Sequence, residues 1–518
     1  MVSLRSCLAP LLIAATALEV ETGNPLHLVV GGRDKAVAVL SSDSPDRLRG
    51  TIRVRDWKGL GRDYAVDARS PVRVGLDGFP KGWQRVDFIL ADESEPIAST
   101  SFARLDRHVR TPVRAKPSFR MGFTTHLNWY GEDDRRLMME AMVACGAKIA
   151  RCGFFSLKAV CPAEGRFDWK EADAAVRDLR ANGIAINATV HPFVAWAAET
   201  NRAETCRRDK VEWAIVCLPP RPGVYRDYCR RLAERYGTKI DYYEVGNEFD
   251  LIPAWILPKR EAVRLQREAY EGIKAGCPDA CVTTCGWAVG DSEDLTPLRG
   301  KRLPNDGLAE YFVQEAKPYF DVHAIHLHGP FEEFPGRLQS SFFALREKSG
   351  VTQPWFANET ADHGAGGREL AVARDVWRKI VYAWAHGSVD YTWYNLRAKV
   401  GKDGAGAENA YGVMTYDFHP RPSFAAFSAL TALVDGLSFA RRRESDGRMV
   451  FRFDGDGVRV FIGWAMAESD EADVKVPVKG GVCELSDLMG NRSSVLPVDG
   501  VVAWKVTTDP TALIVKER

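Results

Sequence analysis

The sequence predicts an α/β protein, a (β/α)8 TIM barrel flanked by an N-terminal β-sandwich and a C-terminal β-sandwich. Three observations carry this. The chain has 518 residues, too many for one ordinary core but comfortable for two or three domains. Its texture changes twice, from short alternating segments to strand–helix alternation near residue 116, and back to short strands near 437. Between those points eight short apolar runs recur over about 300 residues, the span of such a barrel.

Taken in order, the first residues read as a targeting segment. Arg5 precedes an apolar run from Cys7 to Ala17, and Ala15-Thr16-Ala17 has the small-x-small form of a cleavage site, which predicts a signal peptide over 1–17 and a secreted or periplasmic location. The run is too short for a permanent transmembrane anchor; the competing reading is an apolar first strand. Residues 18–115 read as a β-sandwich. Leu26-His27-Leu28-Val29-Val30, Ala36-Val37-Ala38-Val39-Leu40, Thr51-Ile52-Arg53-Val54 and Arg85-Val86-Asp87-Phe88-Ile89-Leu90 are broken by Gly, Pro and Asp, as strands between turns are.

Residues 116–436 hold the barrel. The strand candidates are 119–124, 148–153, 185–191, 242–246, 281–287, 322–328, 355–358 and 389–394. Helical patterns fall between them, among them 133–145, 169–182, 223–236 and 261–276, with Gly146, Gly183, Gly237 and Gly276 where each should stop. A doubly wound open sheet would alternate in the same way, but no Gly-rich phosphate loop follows the first strand. Residues 437–518 return to β, with strands at Met449-Val450-Phe451-Arg452-Phe453, Val458-Arg459-Val460-Phe461-Ile462 and Val501-Val502-Ala503-Trp504-Lys505-Val506 bounded by Asp-Gly turns.

Composition narrows the function. Hydrophobic residues make up 46% and charged residues 27%, and 70 Lys plus Arg against 69 Asp plus Glu leave a net charge of +1. That balance argues against a nucleic-acid partner, while leaving room for a local basic pocket. The 11 cysteines, ten without Cys7, are scattered with no tight CxxC pair; they read as small buried thiols, Cys277, Cys281 and Cys285 included, with a disulfide or two possible after export.

Barrel active sites lie at the C-terminal ends of the strands. There, strand four runs Tyr242-Tyr243-Glu244-Val245-Gly246 into Asn247-Glu248, and strand seven runs Trp355-Phe356-Ala357-Asn358 into Glu359. One strand-end glutamate alone would read as a rim salt bridge. Two suit cleavage of a glycosidic bond, which needs a proton donor for the leaving oxygen and a carboxylate to meet an oxocarbenium-like centre. In the retaining geometry the two groups stand about 5–5.5 Å apart, close enough for like charges to separate their pKa values.

Ile240-Asp241-Tyr242-Tyr243-Glu244-Val245-Gly246-Asn247-Glu248 resembles the Asn-Glu motif ending strand four in glycoside hydrolase clan A. The preceding Cys229-Arg230-Arg231-Leu232-Ala233-Glu234-Arg235-Tyr236 is most similar to the corresponding helix of family 39 and its relatives. The resemblance covers the barrel and implies a retaining glycoside hydrolase acting on a carbohydrate without a cofactor. It implies Glu248 as acid/base, Asn247 as a contact to the sugar 2-hydroxyl, and Glu359 as nucleophile held ionised by Arg151. It also implies His326 near the end of strand six and Trp393 as the floor of the sugar site. The clan commonly has Tyr two residues after that histidine; here His328 stands there, able to donate the same hydrogen bond but with a pH dependence of its own. The N-terminal sandwich lies outside the minimal family-39 layout.

His126, His191, His323, His326 and His328 invite a metal site, but no carboxylate or third histidine is spaced to complete one. Bonding to sugar hydroxyls is the better reading for His126, His191, His326 and His328, and His323, of opposite parity, should pack against a helix. Glu244 should point into the barrel as an arginine partner. Strict alternation puts Asn247 and Glu248 on opposite faces, so both reach substrate only where the strand ends or bulges. Asp362 and His363 read as a substrate-facing loop, and 397–411 as a lid or subsite wall. Among the 14 tryptophans, Trp129, Trp196, Trp255 and Trp287 sit near strand ends beside Trp393. The competing class is a non-catalytic carbohydrate-binding protein on the same barrel.

Overall fold

The structure, a computed structural model, describes residues 16–31, 35–108, 119–208, 217–251, 257–288, 307–399, 410–478 and 481–517. The apolar run of the expected signal peptide up to residue 15, and Trp255, lie outside them.

Eight strands open the chain: β1 (Thr16–Glu21), β2 (Leu28–Val30), β3 (Val37–Ser42), β4 (Arg47–Asp56), β5 (Gly61–Arg69), β6 (Val72–Gly75), β7 (Gly82–Leu90) and β8 (Ala98–Leu105). They form two sheets, β1-β3-β6 and β2-β8-β7-β4-β5. The period-two pattern decides which side chains meet: Leu18, Val20, Leu40, Val54, Phe88 and Phe102 are buried together between the sheets. β1 starts at Thr16, one residue before the expected cleavage point at Ala17, and its buried residues lie beyond that point.

The barrel strands are β9 (Met121–Thr124), β10 (Ile149–Cys152), β11 (Ala185–Val190), β12 (Tyr242–Val245), β13 (Val282–Thr283), β14 (His323–His328), β15 (Trp355–Ala361) and β16 (Ser388–Tyr394). They are parallel, in the order β13-β12-β11-β10-β9-β16-β15-β14. Covered on both faces, they are buried nearly throughout, which is why they read as short apolar runs rather than alternating ones. Two isolated parallel bridges, Thr283 to Val322 and Trp287 to Ile325, join the ends of the sheet and close the cylinder. Below the mouth, Arg120 donates to Asp390 at 2.7 Å and to Asp241 at 2.6 Å, and the Tyr242 hydroxyl donates to Asp390 at 2.7 Å. No motif in the sequence announced this buried cluster.

The expected helices are present at Glu132–Ala144, Lys170–Ala181, Val224–Tyr236 and Lys259–Gly276. Gly276 differs from its expected role as a helix stop. It is the last helical residue, and a Cβ there would lie 2.4 Å from the Arg230 carbonyl, so the missing side chain lets two helices approach closely. The Pro422–Val434 helix is buried almost throughout. Next to it, Trp83 Nε1 and Ser101 Oγ donate to the Pro420 carbonyl at 3.0 and 2.8 Å, tying the N-terminal sandwich to the barrel.

The C-terminal strands are β17 (Ser438–Ser445), β18 (Arg448–Gly455), β19 (Val458–Ala465), β20 (Ala472–Pro477), β21 (Val482–Ser486), β22 (Arg492–Val495), β23 (Val501–Val506) and β24 (Thr511–Lys516). Six make one sheet, β17-β18-β19-β24-β21-β22, and β20 pairs with β23 alone. One face of the large sheet packs on the Glu369–Ala385 helix and its surroundings, with Trp384 tilted against Phe453 at 4.5 Å and Phe331 edge-on to Trp464 at 5.4 Å. The small sheet covers part of the other face, burying Val502, Trp504, Leu513 and Val515. No helix among the described residues is long and apolar enough to cross a membrane.

Candidate active site

Glu248 and Glu359 arrive at the mouth by two departures from regular strand geometry. β12 ends at Val245; Gly246 then takes φ +77°, and a Cβ there would lie 2.3 Å from the Phe249 ring. Glu248 itself sits at φ +46°. The backbone has left the pleat, so Asn247 and Glu248 both face the cavity, and Asn247 Nδ2 donates to Glu248 Oε2 at 3.2 Å. β15 runs on to Ala361, so Glu359 lies within the strand rather than after its end. The register against β14 slips between Ile325 and His326, so that Ala357 faces Ile325 and Glu359 faces His326. This bulge turns Asn358 and Glu359 inward in succession, and Asn358 Nδ2 donates to Glu244 Oε1 at 2.8 Å.

Arg151, buried at the end of β10, ties the site together. Its Nε and Nη2 donate to the two oxygens of Glu244 at 2.6 and 2.9 Å, its Nη1 to Glu359 Oε2 at 2.5 Å, and its Nη2 also to Asn247 Oδ1. Glu244 is fully buried and is the arginine partner expected of it. Burial would raise its pKa, but the Arg151 charge and the His326 and Arg151 bonds bring it to about 2. For Glu359 too, burial is outweighed by the charges of His326 and Arg151 and by the His328 hydrogen bond, which hold the carboxyl well below the usual range.

His326 and His328 bond to the glutamates instead of facing a sugar. His326 is fully buried, which corrects its expected role as a ligand for a sugar hydroxyl. Its Nδ1 is 2.7 Å from Glu248 Oε1 and 3.8 Å from Glu359 Oε1, and its Nε2 is 3.7 Å from Glu244 Oε1. Burial pulls its pKa down, yet the charge of Glu359, the nearby Glu244 and the bond to Glu248 raise it to about 9, so the ring carries a proton on each nitrogen at neutral pH. A Cβ on Gly286 would lie 1.9 Å from that ring; only glycine leaves room for it. His328 Nε2 meets Glu359 Oε1 at 3.2 Å, the bond expected of an imidazole at this position. Its ring packs edge-on to Tyr394 and Tyr411, at 5.5 and 5.6 Å. His323 is buried between Phe320 and Phe342, as its parity implied.

The cavity between these groups is about 840 Å³ and is lined by Arg151, Asn247, Glu248 and Glu359, together with His126, His191, Trp129, Tyr394 and Lys399. Burial lowers the pKa of His126 to about 3 and of His191 to about 4, leaving both neutral near pH 7 and able to donate or accept. Trp393 does not line the cavity. It is fully buried on the helix side of β16, 5.9 Å below Lys379 Nζ, so the expected sugar floor is corrected: the neighbouring Tyr394 faces inward instead. The other aromatic wall is Trp129, 58% exposed, stacked on His126 at 4.0 Å and capped by Lys399 Nζ at 4.4 Å. Trp129 was visible only as one of several tryptophans near strand ends, and Tyr394 gave no signal beyond its place in strand eight. Trp287 is buried against Phe312, and Asp362 is buried and bound to Arg368 rather than facing substrate. Of the expected lid, 400–409 lie outside the described residues.

One oxygen each of Glu248 and Glu359 and a ring nitrogen of His328 lie within 4.8 Å of one another. That grouping differs from the His326–His328 pair first considered for a metal. Among the described residues no disulfide forms; Cys145, Cys152, Cys161, Cys229, Cys285 and Cys483 are buried thiols, and Cys277 and Cys281 are partly buried.

No family model matches the chain. A β-galactosidase of Bifidobacterium bifidum is 31% identical over 223 residues, covering 36% of this chain; the chain spans 30% of that relative's length. Among solved structures, a family 39 glycoside hydrolase from Bacteroides cellulosilyticus WH2 superposes with a TM-score of 0.68 at 17% identity, over 96% of this chain and 100% of its own. A glucosidase from Croceicoccus marinus gives 0.55 at 10% identity, over 79% and 98%. A family 30 subfamily 8 xylanase from Clostridium acetobutylicum gives 0.51 at 12%, over 78% and 98%. Coverage of 96% takes the first likeness into both terminal sandwiches, so the N-terminal one, expected to lie outside the family-39 layout, has a counterpart there. Over nearly its whole length the chain has the fold of a family 39 glycoside hydrolase, a TIM barrel between two β-sandwiches.

Proposed function

We propose that the protein is a retaining glycoside hydrolase that cleaves O-glycosidic bonds of an oligo- or polysaccharide by double displacement. The observation that carries the reading is the approach of Glu248 and Glu359, an oxygen of each within 4.8 Å of the other. So close an approach fits the retaining arrangement, with carboxyl groups about 5–5.5 Å apart, better than the inverting one, which needs roughly 6.5–9.5 Å to admit a water.

Glu359, held ionised by Arg151 and His326, attacks the anomeric carbon. Glu248 in its protonated form gives its proton to the glycosidic oxygen as the C–O bond breaks, leaving a glycosyl ester on Glu359. Glu248, now a carboxylate and hydrogen-bonded by His326 Nδ1, then takes a proton from water. The resulting hydroxide displaces the ester and restores both groups. Asn247 is held towards the cavity by Arg151 and is placed to meet a sugar hydroxyl. Trp129 and Tyr394 line the cavity and offer apolar surface to the C–H faces of a pyranose.

The test uses the wild type, Glu248→Gln and Glu359→Gln against aryl glycosides and polysaccharides, with azide added to the variants. Both variants should lose at least about a thousandfold in kcat on substrates with poor leaving groups, the scale of removing a group acting in the transition state. In Glu248→Gln, azide should restore turnover of an activated aryl glycoside with retained configuration; in Glu359→Gln it should give the inverted glycosyl azide. Variants as active as the wild type would show the pair to be misassigned. Activity should also survive chelation with EDTA. Loss on chelation and recovery with zinc would make the Glu248–His328–Glu359 group a metal site and replace this mechanism with metal-assisted hydrolysis.

A further inference from the structure

The C-terminal sandwich has a feature that this chemistry does not use. Its two sheets are unequal, and the β20–β23 pair covers β24 and part of β19 but leaves the β17–β18 side open. The result is a cleft of about 920 Å³ between the uncovered sheet and β20. Its floor is cationic. Arg441 of β17 stands directly opposite Arg452 of β18, Arg443 stands opposite Val450, and Arg452 stands opposite Phe461 of β19, so these side chains share one face. Arg459 lies two residues from Phe461 on that same face, and Val474 and Val476 line the β20 wall, with Lys475 between them on the outer face of that strand.

Like charges directly opposite across a strand pair destabilise a sheet. Asp454 offsets Arg452 with two bonds of 2.7 Å, and Glu517 lies 2.8 Å from Arg459. Arg441 and Arg443 form no ion pair among the described residues. A chain whose net charge is only +1 thus places two arginines without a carboxylate partner in one concave site, beside the paired Arg452 and Arg459. Charge on an edge strand also guards against unwanted pairing; that purpose requires neither a cleft nor arginines in its floor.

We infer that this cleft binds an anionic saccharide chain, one bearing carboxylate or sulfate groups. The arginine forks match those groups in a bidentate manner, and Val450 and Phe461 between them offer apolar surface to the ring faces. The outer edge of β20 has no strand partner among the described residues, which leaves main-chain groups for hydroxyls. The choice of a saccharide over other polyanions rests on the glycosidase reading above; the cleft itself does not.

The test is affinity electrophoresis and calorimetry of the full-length Glu359→Gln protein with polygalacturonate and dextran sulfate, using unsubstituted dextran and duplex DNA as controls. Binding to at least one anionic glycan is expected, with none to dextran, weakening as salt screens the charges. Arg441→Gln/Arg443→Gln should bind about tenfold more weakly, a loss of about 1.4 kcal/mol, and melt like its parent. Arg443→Glu, which reverses one floor charge, is a second variant expected to weaken binding. In the otherwise wild-type chain the double variant should leave aryl glycoside hydrolysis unchanged. No binding at low salt, undiminished binding by both variants, or tighter binding to DNA overturns the inference. Failure of the hydrolysis assays alone would leave a positive binding result standing, so the two readings fail separately.

Discussion

His328 makes its bond to Glu359 where the resembling clan commonly uses a tyrosine, and that single residue separates hydrogen bonding from ring packing. His328→Phe keeps a ring against Tyr394 and Tyr411 but removes the donor. Hydrogen bonds to charged groups contribute about 1.5–3 kcal/mol, so kcat/KM should fall roughly 10–100-fold, mostly in kcat. His328→Tyr should keep most activity; equal loss in both variants would mean that the bond is not what matters. His326 makes the pH argument. Its folded pKa of about 9 lies above the ordinary 6.5, so the folded chain holds a proton that the unfolded chain releases. The stability this contributes is complete below about pH 6.5 and is lost as pH rises through about 9. Glu244, lowered to about 2, does the opposite: its contribution is present above about pH 4.5 and is lost on acidification. The melting temperature should therefore decline between pH 7 and 9.5, with a shallower decline in His326→Gln; an identical slope would remove His326 from the account. At this scale the sequence pointed to Glu248, Glu359 and Arg151 through their places near strand ends, although β12 stops at Val245 and β15 runs on past Glu359 to Ala361. Trp393 was misread because one residue of offset in a strand exchanges its faces, and nothing in Tyr391-Thr392-Trp393-Tyr394 says which aromatic points inward.

The elements were easier to read than their irregularities. All eight barrel strands lie where short apolar runs stand between amphipathic helices, since burial on both faces leaves that signature. The bulge in β15 was invisible, because its cause is a register slip against β14 and not a local Gly or Pro. β13 was expected over 281–287 and has only two residues; the rest of that stretch follows β14 through isolated bridges. Gly286 in this stretch had a readable residue type but an unreadable reason, the imidazole of His326 pressed against it. Gly286→Ala should drive that ring from between Glu248 and Glu359. Overpacking of this kind costs about 1–3 kcal/mol, so the variant should fold with a lowered melting temperature and lose activity by more than tenfold. Full activity in a folded Gly286→Ala protein would show that His326 need not hold this position.

For the molecule as a whole, the sandwich–barrel–sandwich order was legible from the two changes of texture, while the means of attachment were not. Trp83 and Ser101 reach Pro420 across more than three hundred residues of chain, and Asn491 Oδ1 accepts from the Lys81 amide at 2.9 Å, linking the two terminal sandwiches directly. Contacts so remote in sequence leave no local pattern to read. The incomplete cationic sandwich leaves no local pattern for a related reason: only the partner strands show that Arg441 and Arg443 share a face while Arg442 does not.

The closure of the barrel by two bridges has a kinetic meaning. The other junctions are paired strands, interrupted by register slips at β14–β15 and β15–β16, whereas between β13 and β14 only isolated bridges form, with main-chain ties that include Thr284 N to the Val322 carbonyl at 3.1 Å and His326 N to the Trp287 carbonyl at 3.0 Å. Local opening takes least free energy where the fewest such ties must break together. In hydrogen–deuterium exchange the amides of Thr284 and His326 should therefore gain label before those of β10 and β11; the reverse order would mean the cylinder yields elsewhere first. Each such opening frees the residue that holds the proton between the two glutamates, so the rate at which this seam breathes sets how often the charged centre loosens and re-forms.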